Sequence, residues 1–185
     1  MAGLASFFSS LATRRATGRV VAIGVGAGYE LLLAARILHG WQIEAYEIDE
    51  AMRNRARGLW SFFNVDAVKE LGVMFPLERF DPDVTRSYDG VVMCELCEHL
   101  RDPFEALTNV RKYLKDDGQA FVTMAINIAQ EDHVFLYPTI DACRVQLQTA
   151  GFQILWEWLA PQVLNPPRER QKSFRKGNYV AVVHK

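Results

Sequence analysis

An apolar run that ends in closely spaced glycines most constrains how this chain can fold. Residues 20–23 read Val-Val-Ala-Ile, Gly24, Gly26 and Gly28 follow at a spacing of two, and an apolar helical pattern continues to residue 37. A continuous β-branched run is typical of a buried parallel strand. Glycines let the chain turn tightly and let a ligand lie against bare backbone, and a helix N-terminus offers unpaired N–H groups. The stretch therefore predicts a strand–loop–helix unit that holds a nucleotide-like cofactor.

Strand and helix patterns alternate through the rest of the chain. A helix is predicted after the glycines and four more over residues 50–63, 67–71, 103–115 and 139–150. Strands are predicted over residues 20–23, 41–48, 73–80, 88–94, 119–126, 152–159 and 179–184, with a turn at Asp117-Gly118. This alternation predicts an α/β fold: a seven-stranded, mostly parallel sheet with helices on both faces and an antiparallel C-terminal strand pair. Residues 1–19 are predicted to form a short amphipathic helix or lid ahead of a single domain over residues 20–185.

Composition limits the classes of partner. The chain has 185 residues, half of them apolar, and a formal charge of −1, which favours one globular domain and gives no electrostatic case for nucleic acid or an anionic membrane. The basic run at residues 168–176 is interpreted as a solvated loop. No apolar run of about 18 residues exists and no basic leader precedes the first apolar cluster, so neither a membrane span nor a signal peptide is expected. Three cysteines, an odd number, favour a reducing compartment, and a cytoplasmic location is expected.

The glycine loop does not match the two commonest nucleotide motifs. Tyr29 occupies the place where the dinucleotide fingerprint requires a third glycine or an alanine, and no Lys-Ser/Thr follows, so the loop is not a P-loop. The spacing G-x-G-x-G after a first strand instead resembles motif I of the class I S-adenosylmethionine-dependent methyltransferases.

Further motifs with the same order extend the resemblance from residue 20 to the end of the chain. Glu47 ends the second strand, and Tyr-Asp opens the apolar strand at residues 88–94. Residues 95–103 read Glu-Leu-Cys-Glu-His-Leu-Arg-Asp-Pro, similar to the family's E-V-L-E-H-x-x-D-P. Residues 114–118 read Leu-Lys-Asp-Asp-Gly before the fifth strand, and residues 150–152 read Ala-Gly-Phe before the last two strands. Each motif alone is weak, but their order and spacing together are specific.

The resemblance implies a Rossmann-like fold and a binding site for S-adenosylmethionine at the carboxyl ends of the strands. The three glycines would lie under the amino-acid portion and the ribose. Glu47 would accept both ribose hydroxyls, with Ile48 beside it. The backbone of Cys94 and Glu95, at the end of the fourth strand, would border the cofactor and the transferred methyl group. Asp81 is the candidate for contact with the adenine.

One position departs from the family pattern. The family usually has Asp or Glu two residues before the first motif I glycine, where it helps to hold the cofactor's amino group, and this chain has Ala22. Glu30 or nearby backbone carbonyls are the candidates to replace that carboxylate.

A metal site is not expected from the cysteines. Cys94 and Cys97 form a C-x-x-C, with His99 and Cys143 as further soft ligands, but a structural zinc site normally needs a second close pair. The methyltransferase register explains this segment without the thiols. The cysteines are therefore interpreted as structural or incidental, and His99 as structural.

The loop after the fifth strand, residues 127–138, holds the candidate catalytic residues. This loop faces the substrate in the resembling family, and it carries His133 and Tyr137. A histidine there could deprotonate or orient a nucleophile, with Tyr137 assisting; a packing or capping role is the alternative.

These features predict methyl transfer from S-adenosylmethionine to an N, O or C nucleophile of a small molecule, which could be a biosynthetic intermediate or carrier-bound. Residues 1–19, 127–138 and 161–178 are left to build the acceptor pocket, with a second subunit or a partner protein as a further source. Two alternatives stay open: a non-catalytic methyltransferase-like partner subunit, and the same fold with the same cofactor catalysing a non-methylating reaction such as isomerisation or cyclisation. RNA methylation is disfavoured because no basic face is evident.

Overall fold

A computed structural model describes residues 2–65, 68–73, 75–161 and 177–185, and the statements below concern these residues. Seven strands and five α-helices alternate along them, with short 3-10 turns at Pro82–Val84 and Cys97–His99. The strands are β1 Arg19–Ile23, β2 Gln42–Tyr46, β3 Val68–Gly72, β4 Tyr88–Cys94, β5 Leu114–Ile126, β6 Gln153–Pro161 and β7 Gly177–His184. The helices are α1 Ala2–Arg14, α2 Tyr29–Ile37, α3 Glu50–Phe62, α4 Pro103–Tyr113 and α5 Ile140–Thr149.

The strands form one sheet in the order β3-β2-β1-β4-β5-β7-β6. Strands β1 to β5 pair in parallel, and β7 runs antiparallel to both β5 and β6. The predicted seven-stranded α/β fold and its antiparallel C-terminal pair are thus confirmed. Strands β2 and β3 lie on one side of β1, and the chain then crosses to place β4 on its other side. Open α/β sheets bind their ligands at such a reversal of strand order, beyond the carboxyl ends of the strands.

Helices cover both faces of the sheet because each has one apolar stripe to bury. On one face, α4 and α5 contribute Leu107, Tyr113 and Leu147, all fully buried. On the other, α1, α2 and α3 share a second apolar cluster. Residues 1–19 were predicted to contain an amphipathic helix, and α1 is that helix: Phe8 is fully buried and the ring of Phe7 lies 5.7 Å from that of Phe121 in β5.

The segment between α3 and β4 differs from the prediction. The helix expected over residues 67–71 is wrong, because Val68–Gly72 is a strand that extends the sheet by pairing in parallel with β2. The strand expected over residues 73–80 is also wrong, because the described residues there form an irregular loop. Strand pairing overrides local helix propensity at β3, and Pro76 lacks the N–H that a further strand would need.

Two smaller differences concern β5 and the late loop. Strand β5 begins at Leu114, so the turn expected at Asp117-Gly118 lies within the strand. The basic run at residues 168–176, and most of the 161–178 segment predicted to contribute to an acceptor pocket, lie outside the described residues. Among the described helices, none combines the length and the apolar character needed to cross a bilayer.

Candidate cofactor-binding site

The three glycines lie at the carboxyl end of β1, each with a left-handed backbone: φ is 69° at Gly24, 50° at Gly26 and 78° at Gly28. Each glycine meets a different environment. A Cβ at Gly28 would come within 2.8 Å of Nε1 of Trp60, and one at Gly24 within 2.8 Å of Leu96. A Cβ at Gly26 would meet no atom within 4 Å. Packing therefore explains Gly24 and Gly28, whereas Gly26 keeps open the space above the loop.

Glu47 follows β2 and is buried, with 8% of its surface exposed. One carboxylate oxygen accepts the N–H of Gly26 at 2.7 Å and the other accepts the N–H of Asp49 at 2.9 Å. Arg53 supports the turn by donating to the backbone carbonyls of Glu47 and Ile48, both at 2.7 Å. An ionised carboxylate has about four acceptor positions. Two are used here, so Glu47 can still accept from a ligand while it fixes the glycine loop.

A cavity of about 650 Å³ opens beside the glycine loop and Glu47. Gly24, Glu47 and Ile48 line one side, and the wall is predominantly apolar. A volume of this size suits a nucleoside-sized ligand. The other described residues that line it are Ile23, Tyr46, Val73, Phe75, Pro76, Leu77, Glu78, Arg79, Leu96, His99, Leu100 and Asp132.

The apolar side of the cavity comes from the loop after β3, which sequence reasoning misread as a strand. Helix α4 holds this loop from below: Asn109, which is 1% exposed, donates to the carbonyl of Leu77 at 2.8 Å, and the hydroxyl of Tyr113 donates to the carbonyl of Pro76 at 2.7 Å. Phe75 and Leu77 are buried between helix and cavity. The signal in the sequence was Pro76 within an apolar run, which is more typical of a loop than of an inner strand.

The predicted adenine residue, Asp81, is not among the residues that line this cavity. Its carboxylate caps the 3-10 turn at Pro82–Val84 by accepting the N–H of Asp83 at 3.0 Å, and its own N–H donates to the hydroxyl of Tyr113 at 2.8 Å. Its role in the fold is thus to end the loop. The apolar side chains of Phe75 and Leu77 take the place at the cavity where Asp81 was expected.

Three carboxylates approach one another at the carboxyl ends of β1, β2 and β4. Burial is the main reason that the pKa of Glu30 is raised, and the charges of Glu47 and Glu95 raise it further. Burial is also the main reason that the pKa of the Cys94 thiol, at the end of β4, is raised, and the charges of Glu30 and Glu95 raise it further. Glu95 has a left-handed backbone with φ 50°, its N–H donates to Oγ1 of Thr123 at 2.8 Å, and its carboxylate accepts from Asn178. The edge is therefore rich in negative charge and suited to a cation.

The predicted catalytic residues occupy different environments. His133 is half-buried, and its Nδ1 lies 2.8 Å from the carbonyl of Ile128. Its ring contacts that of His99, which with Asp132 lines the cavity. Tyr137 is 4% exposed and packs in the core under α5, and burial raises the pKa of its hydroxyl. Neither His133 nor Tyr137 is among the described residues that line the cavity. His133 contacts the cavity-lining His99, whereas Tyr137 lies in the core because the loop returns to the sheet at this residue.

All three cysteines are free thiols. Cys97 and Cys143 are fully buried in the core, and burial raises the pKa of both thiols, that of Cys143 to about 12. Their thiols are neutral at physiological pH and pack as small apolar groups.

Comparisons with known proteins agree with this arrangement. The model of a methyltransferase-domain family matches residues 2–165. Among solved structures, the [4+2]-cyclase SpnF is 14% identical with a TM-score of 0.72, covering 98% of this chain and 81% of that one. Coclaurine N-methyltransferase bound to N-methylheliamine and S-adenosylhomocysteine is 12% identical with a TM-score of 0.72, covering 98% and 70%. A SAM-dependent methyltransferase from Aquifex aeolicus is 14% identical with a TM-score of 0.61, covering 90% and 81%.

A search of curated proteins finds no match to the sequence. At these identities the structural likeness establishes the fold, and the family model, which spans most of the chain, establishes the family. The chain therefore belongs to the class I S-adenosylmethionine-dependent methyltransferase family.

Proposed function

We propose that the protein binds S-adenosylmethionine at the carboxyl edge of β1, β2 and β4 and transfers its methyl group to a small-molecule nucleophile. The observation that carries the proposal is the convergence of Glu30, Glu47 and Glu95 beside the open glycine loop. S-adenosylmethionine carries a positive sulfonium and a positive amino group, and a cluster of carboxylates whose charges raise the pKa of Glu30 favours such a ligand.

Each part of the edge has a chemical counterpart in the cofactor. Glu47 would accept the ribose hydroxyls while it holds Gly26, the apolar side chains of Phe75 and Leu77 would face the adenine, and Glu30 would hold the amino group. Glu30 thereby replaces the carboxylate that the family usually has at the position of Ala22. Glu30 reaches the site from the first turn of α2 instead of from β1. Its burial there is the main reason that its pKa is raised.

When bound, S-adenosylmethionine supplies the electrophilic methyl group, so the protein's task is to position the acceptor and exclude water. In-line alignment of two reactants can contribute about 7–11 kcal/mol to lowering the barrier. A base is needed only for an alcohol or a protonated amine. His133 is our candidate to handle that proton, because its Nδ1 is engaged with the carbonyl of Ile128 and its Nε2 is left for chemistry.

The acceptor class can be tested by following S-adenosylhomocysteine formation by mass spectrometry. S-adenosylmethionine is incubated with the protein and with either a small-molecule extract, a protein fraction or total RNA. We expect product with the small-molecule extract, and at least tenfold less with Glu47→Ala under the same conditions. Product with only the protein or RNA fraction would contradict the proposed acceptor class.

One alternative chemistry has support from a specific relative, because the structurally similar SpnF is a cyclase. The same assay separates the two reactions. Consumption of an extract component without formation of S-adenosylhomocysteine would favour a non-methylating reaction. Cofactor binding without consumption of any component would favour the partner-subunit alternative.

A further inference from the structure

Three side chains outside the glycine loop gather where the loop after β5 crosses the 3-10 turn after β4. They are His99, Asp132 and His133, and one potential ligand atom from each lies within 4.8 Å of the others. The two imidazole rings meet edge to face, with their centroids 4.8 Å apart. Two of the three residues, His99 and Asp132, also line the cavity next to the proposed cofactor site.

Both imidazoles are oriented by backbone carbonyls. Nδ1 of His133 lies 2.8 Å from the carbonyl of Ile128, and Nδ1 of His99 lies 3.0 Å from the carbonyl of Asp132. A carbonyl oxygen can only accept, so Nδ1 carries the proton in each ring and Nε2 of the neutral ring keeps its lone pair. This is the arrangement usual for histidines that bind metals, in which the second ring nitrogen donates to a carbonyl or carboxylate.

The backbone around the cluster is fixed. The N–H groups of Val134 and Phe135 both donate to the carbonyl of Glu98, at 2.8 and 2.9 Å, and so tie the β5 loop to the residue next to His99. The N–H of His133 donates to the carbonyl of Gln130 at 3.2 Å. The backbone that carries the two histidines is therefore fixed before any ligand arrives, which reduces the entropy lost on binding.

We propose that His99 and His133, through Nε2, and Asp132, through its carboxylate, bind a divalent transition metal such as Zn²⁺ at the mouth of the cavity. Imidazole and carboxylate are typical ligands for such ions, and three protein ligands leave a position open for substrate. Ligands of tetrahedral zinc lie about 3.3 Å apart. The carboxylate of Asp132 lies 3.4 Å from Nδ1 of His99, and because its side chain is 68% exposed it can rotate toward Nε2 to close the site.

The metal also indicates an acceptor class, and this part of the inference rests on the proposed methyl transfer. An acceptor hydroxyl bound at the open position would lose its proton to solvent water because the ion lowers its pKa. The oxygen's electron pair then forms a bond to the methyl carbon as the carbon–sulfur bond breaks and leaves its electrons on sulfur. The products are a methyl ether or ester, S-adenosylhomocysteine and one proton. Because Nε2 of His133 is then bound to the ion, the ion takes over the role that His133 would have as a base, and hydroxyl compounds become the favoured acceptors.

Zinc binding by the full-length protein tests the site without any assay of activity. The protein is dialysed against EDTA and then titrated with Zn²⁺ by calorimetry, and retained zinc is counted by mass spectrometry. We expect one equivalent in the wild type and at least tenfold weaker binding in His99→Gln and in His133→Gln. Co²⁺ should give the visible bands of a protein-bound, low-symmetry site in the wild type, and both variants should lose them.

His39→Gln is the matched control, because His39 is exposed at the end of α2 and outside the cluster. It should bind zinc as the wild type does. Circular dichroism melts confirm that each variant is folded, which is expected because neither cluster histidine is fully buried. The metal site is overturned if the wild type retains no stoichiometric zinc, or if His99→Gln and His133→Gln bind zinc as tightly as His39→Gln.

S-adenosylhomocysteine binding in EDTA separates this inference from the proposed function. Binding of S-adenosylhomocysteine without zinc binding would overturn the metal site and leave the cofactor site standing. Zinc binding without S-adenosylhomocysteine binding would overturn the proposed function, and with it the acceptor role of the ion, while the metal site itself would stand.

Discussion

Each end of the sheet shields an acidic side chain from water, but the acid at the amino end is paired with cations and the acid at the carboxyl end lies near other acids. At the amino end of β4, Asp89 is 3% exposed. It lies 3.0 Å from Nη1 of Arg15 and 2.8 Å from Nζ of Lys115, and it accepts the N–H of Arg19 at 2.8 Å. At the carboxyl end, the charges that act on Glu30 are those of two other carboxylates, and they raise its pKa.

This difference separates a charge that stabilises the fold from a charge that prepares a binding site. A buried acid that is paired with cations and accepts a backbone N–H has its charge balanced within the chain. A shielded acid beside other acids lowers the stability of the ligand-free protein, and that cost is recovered when a cation binds. The comparison predicts that substitutions at the amino end change stability alone, whereas those at the carboxyl end change ligand affinity.

The largest effect is expected at the amino end. Asp89→Asn leaves Arg15 and Lys115 without their shared anion, and the free energy of unfolding should fall by about 2–3 kcal/mol. This loss of stability is smaller than the loss usual when a fully buried ion pair is broken, because Arg15 and Lys115 are partly exposed. Urea denaturation measures the loss, and affinity for S-adenosylhomocysteine should stay unchanged in the folded variant. Asp117→Asn is the control, since that side chain is 51% exposed and should cost less than about 1 kcal/mol. Equal losses in both variants would contradict the account.

Next in size is the loss of ligand affinity in Glu30→Gln. Removing a charged hydrogen bond to the cofactor's amino group should weaken binding of S-adenosylhomocysteine about 10- to 100-fold. Calorimetry measures the dissociation constant, with Glu105→Gln as the control because Glu105 is exposed in the first turn of α4. Unchanged affinity in Glu30→Gln would show that the amino group is held elsewhere.

A smaller loss of affinity is expected in Gly26→Ala, whose new methyl group would project into open space above the loop. Binding should weaken about tenfold by steric exclusion, and the left-handed backbone at φ 50° should cost about 1 kcal/mol of stability. Gly58→Ala in α3 is the control, because its Cβ also meets no atom but belongs to a helix outside the loop. That variant should bind normally and gain up to about 1 kcal/mol. Normal binding by Gly26→Ala would mean that the loop does not contact the ligand.

The smallest effect is a change in how stability depends on pH. Because the folded pKa of Glu30 is raised above its ordinary 4.5, the native protein keeps a proton that the unfolded chain releases. The contribution of Glu30 to stability should therefore fall as pH rises from about 4.5 through its folded pKa, so the wild type should lose stability relative to Glu30→Gln over this window. Thermal melts of both proteins across this window give the comparison. A variant that loses stability more steeply than the wild type would have the wrong sign.

The parts of the fold that could be predicted are those in which local pattern and tertiary packing agree. The predicted β4 matches residue for residue at Tyr88–Cys94, because the apolar run after Asp89 is typical of an inner parallel strand. Strand β3 was missed because Val68–Gly72 has a weak apolar pattern and is a strand only through its pairing with β2. The glycine loop and Glu47 were found because their spacing is local to one strand–loop–helix unit and its neighbour.

The rest of the site depends on contacts between distant segments, which no local pattern records. The cavity wall at Phe75 and Leu77 exists because Asn109 and Tyr113, more than 30 residues later, hold that loop. The pairing of His99 with His133 likewise depends on how the β5 loop crosses the β4 turn. Tyr137 shares the loop with His133, but sequence proximity gave no sign that its side chain would turn into the core.

The proposed cofactor site at the carboxyl edge of the sheet is tested by calorimetric titration of the wild-type protein with S-adenosylhomocysteine at neutral pH. Saturable binding is expected, with one site per chain and a dissociation constant in the micromolar range. Binding should become tighter as pH rises through the folded pKa of Glu30, because the ionised carboxylate holds the ligand's amino group. No heat of binding at high micromolar ligand would contradict the claim that the carboxyl edge of this sheet is a cofactor site.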